Sequence, residues 1–314
     1  MSNVAAPPLP TIGVVGAGLL GTGIATQFAR RGYPTRVMDT DPAAHARITS
    51  QVGSILDELA QWNALGADDR QNVEQHLSIH SDLKSMSACE LVIEAVPENL
   101  ELKRTLYAQL EPLLAKTAIL ASNTSGFPPE ALARDLARPE QFLITHFWNA
   151  PHTVPLVEVV GCAQTKEDLI EQVMQWLTDI GNQPVRLGKA IAGFIGNRIQ
   201  YAVLREALHI VNEGVATPQD VDQVVRATLG RRYPYAGPFE IADAGGLPTF
   251  LAVSEHLFPE LADNSKLEQL LAQFKEKVDQ GQTGQRSGQG FYAWPEASLR
   301  AFAQRRKETL AKGK

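Results

Sequence analysis

Cysteine is scarce in this 314-residue chain: Cys89 and Cys162 are its only two, with no CxxC and no Cys/His spacing suited to a metal. Isolated thiols exclude a disulfide scaffold, point to a reducing cytoplasm and leave no expected metal site. Long apolar runs are absent, and nothing approaches the ~20 residues a membrane-spanning helix needs. Positive charge is also short. The net charge of −6 excludes the basic face that nucleic acid demands. The leading MSNVAAPPLP has no basic segment followed by an apolar one, so it reads as a frayed leader rather than a secretory signal. Internal repeats and low-complexity tracts are missing too.

What remains is a globular composition, 44% hydrophobic and 20% charged, on a chain long enough for two domains. Residues 11–39 read as strand, glycine-rich turn, helix and strand. TIGVVG runs into Gly16, Gly18 and Gly21 at GxGxxG spacing, with Leu19 and Leu20 inside the loop, and PTRVMD closes on Asp39. In such a loop the first glycine permits the tight turn and the second lets backbone approach a pyrophosphate. The third lets helix pack on strand, and the helix N-terminus receives the anion. Asp39 stands where an acid binds ribose hydroxyls and repels a 2′-phosphate, so the expected cofactor is NAD; Arg36 and Arg47 are the cations that could weaken that preference.

Two helices are expected over 42–63 and 67–76, either an insertion that protrudes from the sheet and walls a cleft or simply a long crossover connection. LVIEAV, TAILASN, FLITHFW, VPLVEVV and QPVRLG read as further strands. The fold expected is α/β, a Rossmann-like doubly wound sheet over 1–190, with 42–77 as a helical insertion. An all-α domain follows over 191–314, opened by a long helix across 193–214.

The stretch Ile144 to Val160 carries the chemistry. Two apolar runs each hold one ionisable residue, His146 and Glu158, around the turn-prone cluster Asn149-Ala150-Pro151-His152. An antiparallel hairpin centred near His152 opposes residues whose numbers sum to 304, which places His146 across from Glu158. A carboxylate on one imidazole nitrogen fixes the tautomer and leaves the other nitrogen to take a proton. The same pairing also describes a buried structural His–Glu pair.

The motifs VVGAGLLGTGIA, IEAVPENLELK, ASNTSGFP, THFWNAPHTVPLVEVV, GFIGNR, GPFE and SGQGFY together resemble the L-3-hydroxyacyl-CoA dehydrogenase family over nearly the whole chain. The resemblance implies an oxidoreductase of fatty acid metabolism that uses NAD on a small-molecule substrate and dimerises through its C-terminal domain. It implies His146 as general base, Glu158 as its orienting acid, and Asn197 and Ser125 on the substrate oxygen. Glu98, Lys103, Ser125 and Asn149 fall where the family contacts NAD, and Arg286 where the family often has Lys. Departures bear on the acyl carrier. Ser54 is present on the helix that binds CoA in the family, but Gln61 replaces a Lys there, beside Asp57 and Glu58. NAPHTVP stands where thioester enzymes commonly read NPVPVMK, and it is similar to relatives that oxidise small non-CoA alcohols. Arg231 and Arg232 could meet a free carboxylate, or simply form a solvated turn. A non-catalytic NAD-binding protein is the competing class. A hydroxyisobutyrate-type enzyme is disfavoured because GFIGNRIQ holds no Lys.

Overall fold

The computed structural model describes residues 8–41, 43–262, 272 and 275–312. It divides into two compact units, Met1–Ile195 and Gly196–Lys314. The first unit contains one eight-stranded sheet ordered β3-β2-β1-β4-β5-β6-β7-β8. Its strands are β1 Ile12–Val15, β2 Thr35–Met38, β3 Leu77–His80, β4 Leu91–Glu94, β5 Ile119–Ser122, β6 Phe142–Phe147, β7 Leu156–Gly161 and β8 Gln183–Arg186. All neighbours run parallel except β6 and β7.

Alternate residues of the central strands feed two separate cores. Ile12 and Val14, Leu91 and Ile93, and Leu143 pack into one, with Phe28, Ile48 and Val173. Val15, Val92, Phe142 and Ile144 pack into the other, with Tyr107 and Leu132. A parallel sheet covered on both faces explains why these strands read as continuous apolar runs. The helices that cover it are α1 Leu19–Ala29, α2 Ala44–Gln61, α3 Asp69–His76, α4 Leu100–Leu110, α5 Pro129–Ala133 and α6 Glu167–Asp179. Asn99 starts α4 by accepting from the Leu102 amide at 2.9 Å, an N-cap bond. Strand order reverses between β1 and β4, and the carboxyl ends there are where open α/β sheets bind ligands.

Ile48, Val52 and Leu56 of α2 and Val73 of α3 join the core beside Phe28 of α1. The pair is the crossover that delivers β3 to β2. The first unit runs to Ile195, and residues just beyond 190 are tied to β7. Phe194 is buried, and the Ile195 amide donates to Glu158.

The second unit is helical: α7 Gly196–Asn212, α8 Pro218–Ala227, α9 Leu229–Arg232, α10 Pro238–Gly245, α11 Leu247–Leu257 and α12 Glu296–Lys312. Thr217 and Asp220 form a capping box at the start of α8, which satisfies two of the helix's orphan amides. Of the all-α domain expected over 191–314, residues 263–271, 273–274 and 313–314 lie outside the described residues, as does Pro42 at the expected start of α2.

Candidate active site

β6 and β7 pair in the register that the sum of 304 requires, with His146 opposite Glu158. The imidazole Nδ1 lies 2.8 Å from Glu158 Oε2. Glu158 is 1% exposed and His146 6%. Donors reach both oxygens of the carboxylate: the Ile195 amide meets Oε1 at 2.8 Å, and the Trp148 indole N–H meets Oε2 at 3.4 Å. An acceptor-only group ringed by donors is a carboxylate, so Nδ1 carries the hydrogen it shares with Glu158. Nε2 is then the basic nitrogen, and it has no partner among the described residues. The ring is walled by Phe194 and Trp148, at centroid distances of 5.3 and 5.9 Å.

Sequence reasoning missed Trp148, Phe194 and the Ile195 amide. Trp148 follows His146 by two residues, the strand period, so its side of the sheet was readable. A backbone N–H that arrives from a later segment has no signature in sequence. Phe194 adopts a left-handed φ of 47°, just after Gly193 at 75°, a turn that presents the next amide to Glu158.

The glycine loop suits a dinucleotide. Gly16 has φ 97°, and a Cβ there would stand 2.8 Å from the Ala95 carbonyl. A Cβ on Gly21 would stand 1.9 Å from the Gly16 oxygen, so only glycine allows this approach of helix to strand. A Cβ on Gly18 would meet nothing within 4 Å, which leaves that backbone open to a ligand. Gly18 caps α1 with no side-chain bond and the first turn holds no acid, so the helix end is free for an anion. Leu19 beside it is 66% exposed and Leu20 is half-buried. Asp39 accepts from the Ala17 amide at 3.1 Å and pairs with Arg47 at 3.3 Å. Arg36 is taken up by the Ser85 carbonyl at 2.6 Å.

Across β1 the chain assembles a second polar group. Glu98 accepts from the Thr124 hydroxyl and from the Ser125 amide, the latter at 3.2 Å. Lys103 sits behind Glu98. It is 1% exposed, its ammonium 2.7 Å from Glu94 and 3.2 Å from Glu98. Asn149 is exposed in the β6–β7 connection.

That connection is gripped from outside. Gln27 of α1 donates to the Pro151 carbonyl at 3.0 Å, and a Cβ on Gly23 would collide with the Pro151 ring. His152 bonds Glu58 of α2 at 2.9 Å and stacks on Trp62. Asn197, in the first turn of α7, and Arg286 belong to the second unit, as do Arg231 and Arg232 of α9. Among the described residues no group of three or more His, Cys, Asp or Glu could hold a metal ion, and no helix is long and apolar enough to cross a membrane.

Comparison with known proteins places this geometry. Residues 11–191 match the profile of the 3-hydroxyacyl-CoA dehydrogenase NAD binding domain, and 193–294 that of the 3-hydroxyacyl-CoA dehydrogenase C-terminal domain. The 5-formyl-3-hydroxy-2-methylpyridine 4-carboxylate 5-dehydrogenase of Mesorhizobium japonicum is 31% identical, over 96% of both chains. A probable 3-hydroxybutyryl-CoA dehydrogenase of Deinococcus radiodurans is 35% identical, over 90% of this chain and 99% of the other. A crystal structure of the pyridine-carboxylate 5-dehydrogenase, described as an NAD+ dependent dismutase, superposes with a TM-score of 0.86 at 29% identity, covering 97% of each chain.

Proposed function

The chain belongs to the 3-hydroxyacyl-CoA dehydrogenase family, NAD-dependent oxidoreductases of CH–OH groups, and from that premise we propose that it oxidises a 3-hydroxyacyl substrate to the 3-keto product with His146 as general base. The observation that carries this is the buried 2.8 Å bond from His146 to Glu158. Bound NAD supplies the hydride acceptor. Gly16, Gly18, Leu19, Leu20 and Gly21 hold its pyrophosphate side and Asp39 its adenosine ribose. Glu98, Ser125, Asn149 and Arg286 serve the other half, with Lys103 behind Glu98.

His146 Nε2 takes the hydroxyl proton as the C–H bond breaks. Glu158 holds the imidazole in the reactive tautomer and compensates the charge it gains. Asn197 and Ser125 bind the substrate oxygen and, in reverse, polarise the carbonyl. Phe194 and Trp148 keep water from the ring, which strengthens each of these interactions.

The acyl carrier is proposed as a CoA thioester. A free hydroxy acid is the second reading, and a specific observation favours it: Glu58, a carboxylate one turn from Gln61 on α2, is anchored to His152 of the catalytic connection. That sets a carboxylate beside Gln61, the position where the family carries a Lys for CoA. Acetoacetyl-CoA with NADH separates the two. Turnover well above a no-enzyme blank supports the thioester. No turnover, with NADH still bound, transfers the proposal to the free acid.

A second copy of the chain is proposed to cover the C-terminal unit. There Ile199, Tyr201, Val224, Phe239, Leu251 and Phe258 are all at least 51% exposed, more apolar surface than a lone soluble unit ordinarily presents. Light scattering should return about twice the 34.2 kDa chain mass. A monomer at micromolar concentration contradicts the dimer.

A further inference from the structure

Glu94 ends β4 fully buried, and four donors meet its two oxygens. They are the Val96 amide at 2.8 Å, the Lys103 ammonium at 2.7 Å, the Tyr107 hydroxyl at 2.6 Å and the Ser122 hydroxyl at 2.7 Å. Among the described residues no acceptor faces it, so it is a carboxylate. Burial and the neighbouring Glu94 charge push the Tyr107 phenol up, so Tyr107 stays a neutral donor. Lys103 bridges Glu94 to Glu98. Glu98 in turn accepts from Thr124, and the Thr124 amide donates to Ser122 at 3.3 Å, which returns to Glu94. The bonds close a ring through β4, α4 and the loop after β5. Two carboxylates and one ammonium leave it one negative charge. Only Glu98, with its side chain 41% exposed, brings that charge to the edge of the sheet.

The position gives this charge a consequence. With Asp39 at the end of β2 marking the adenosine side, the reversal at β1 and β4 directs the nicotinamide half toward the ends of β4, β5 and β6. Glu98 and Ser125 lie at that edge, beyond the ends of β4 and β5. The nicotinamide ring is a cation when oxidised and neutral when reduced.

We infer that the Glu94–Lys103–Glu98 ring sets which redox form of the cofactor the protein holds more tightly, its unbalanced charge favouring NAD+ over NADH. The inference rests on the dehydrogenase reading above and extends it to direction. An enzyme that binds the oxidised form relatively well releases the reduced form and is poised to oxidise its alcohol. Glu98 presents the charge. Glu94 and Lys103, 2.7 Å apart, carry opposite charges that cancel and leave the Glu98 charge as the net one.

The test is equilibrium binding, without turnover: dissociation constants for NAD+ and for NADH, each by calorimetry, on the wild-type protein, Glu98→Gln and Glu98→Asp. Removing this one charge at a partly exposed site should raise the ratio Kd(NAD+)/Kd(NADH) about tenfold in Glu98→Gln. Glu98→Asp keeps the charge and should keep the wild-type ratio. The double variant Glu94→Gln/Lys103→Met removes one charge of each sign and should also keep it, which supplies a second readout should Glu98→Gln fold poorly. Equal weakening of both nucleotides in Glu98→Gln, or a changed ratio in the charge-conserving double variant, overturns the inference while leaving the dehydrogenase reading intact. Failure of the wild-type protein to bind either nucleotide overturns both.

Discussion

Replacing His146 by Gln should lower kcat about a thousandfold while NADH binds within about twofold of wild type, the scale on which a positioned general base contributes. Glutamine fits the space and can still donate toward Glu158, so the carboxylate keeps a partner. What is lost is Nε2, the one basic nitrogen of the site. Nothing else named around the ring replaces it, since Phe194 and Trp148 have no base to offer. The cofactor loop lies on β1 and α1 and does not depend on the imidazole. Steady-state kinetics beside NADH fluorescence titration separates the effects. A parallel loss of binding and turnover would make His146 a structural residue of a buried pair, the alternative that the residues of the hairpin left open.

Glu158→Gln should be nearly as damaging to rate and more damaging to stability. The glutamate takes the imidazole N–H, the Ile195 amide and the Trp148 indole on two oxygens. An amide offers one oxygen and turns an NH2 toward one of those donors. Either the imidazole flips tautomer and puts its hydrogen on Nε2, or the Ile195 amide is left buried without an acceptor. The first outcome costs rate, about a hundredfold or more by analogy with other imidazole–carboxylate pairs. The second costs about 1–3 kcal/mol for an unmade buried bond. Denaturant titration together with kcat checks both. A variant with wild-type rate and an unchanged midpoint would remove Glu158 from the account.

How much of this was legible in the chain depends on the kind of interaction. The pairing of His146 with Glu158 was legible because a strand has period two and a hairpin has one register, so one sum fixes every opposite pair. The glycine loop was legible because each glycine answers a separate steric demand, and the clash at Gly21 shows how strict one of them is. β3 was missed: Leu77–His80 alternates apolar with polar residues, follows α3 directly and lies at the half-exposed edge of the sheet, where the pattern is weakest. Lys103 was seen, but its buried pairing was not. Its four-residue spacing from Tyr107 put both on one face of α4, yet the buried acid they share ends a strand nine residues before Lys103. Glu94 was visible as a break in LVIEAV, and its meaning depended on partners that only the tertiary fold brings together. The clasp of His152 on Glu58, residues far apart in the chain, was beyond reach for the same reason.

The most direct measurement of the central claim, that His146 backed by Glu158 takes the substrate's proton, is the pH dependence of kcat/KM in the oxidative direction for wild type and His146→Gln. In the wild-type protein the rate should climb with pH as one group in the free enzyme loses its proton. In the variant that rising limb should vanish from the residual activity. A limb of the same midpoint in both proteins would assign the proton to another group and contradict the mechanism.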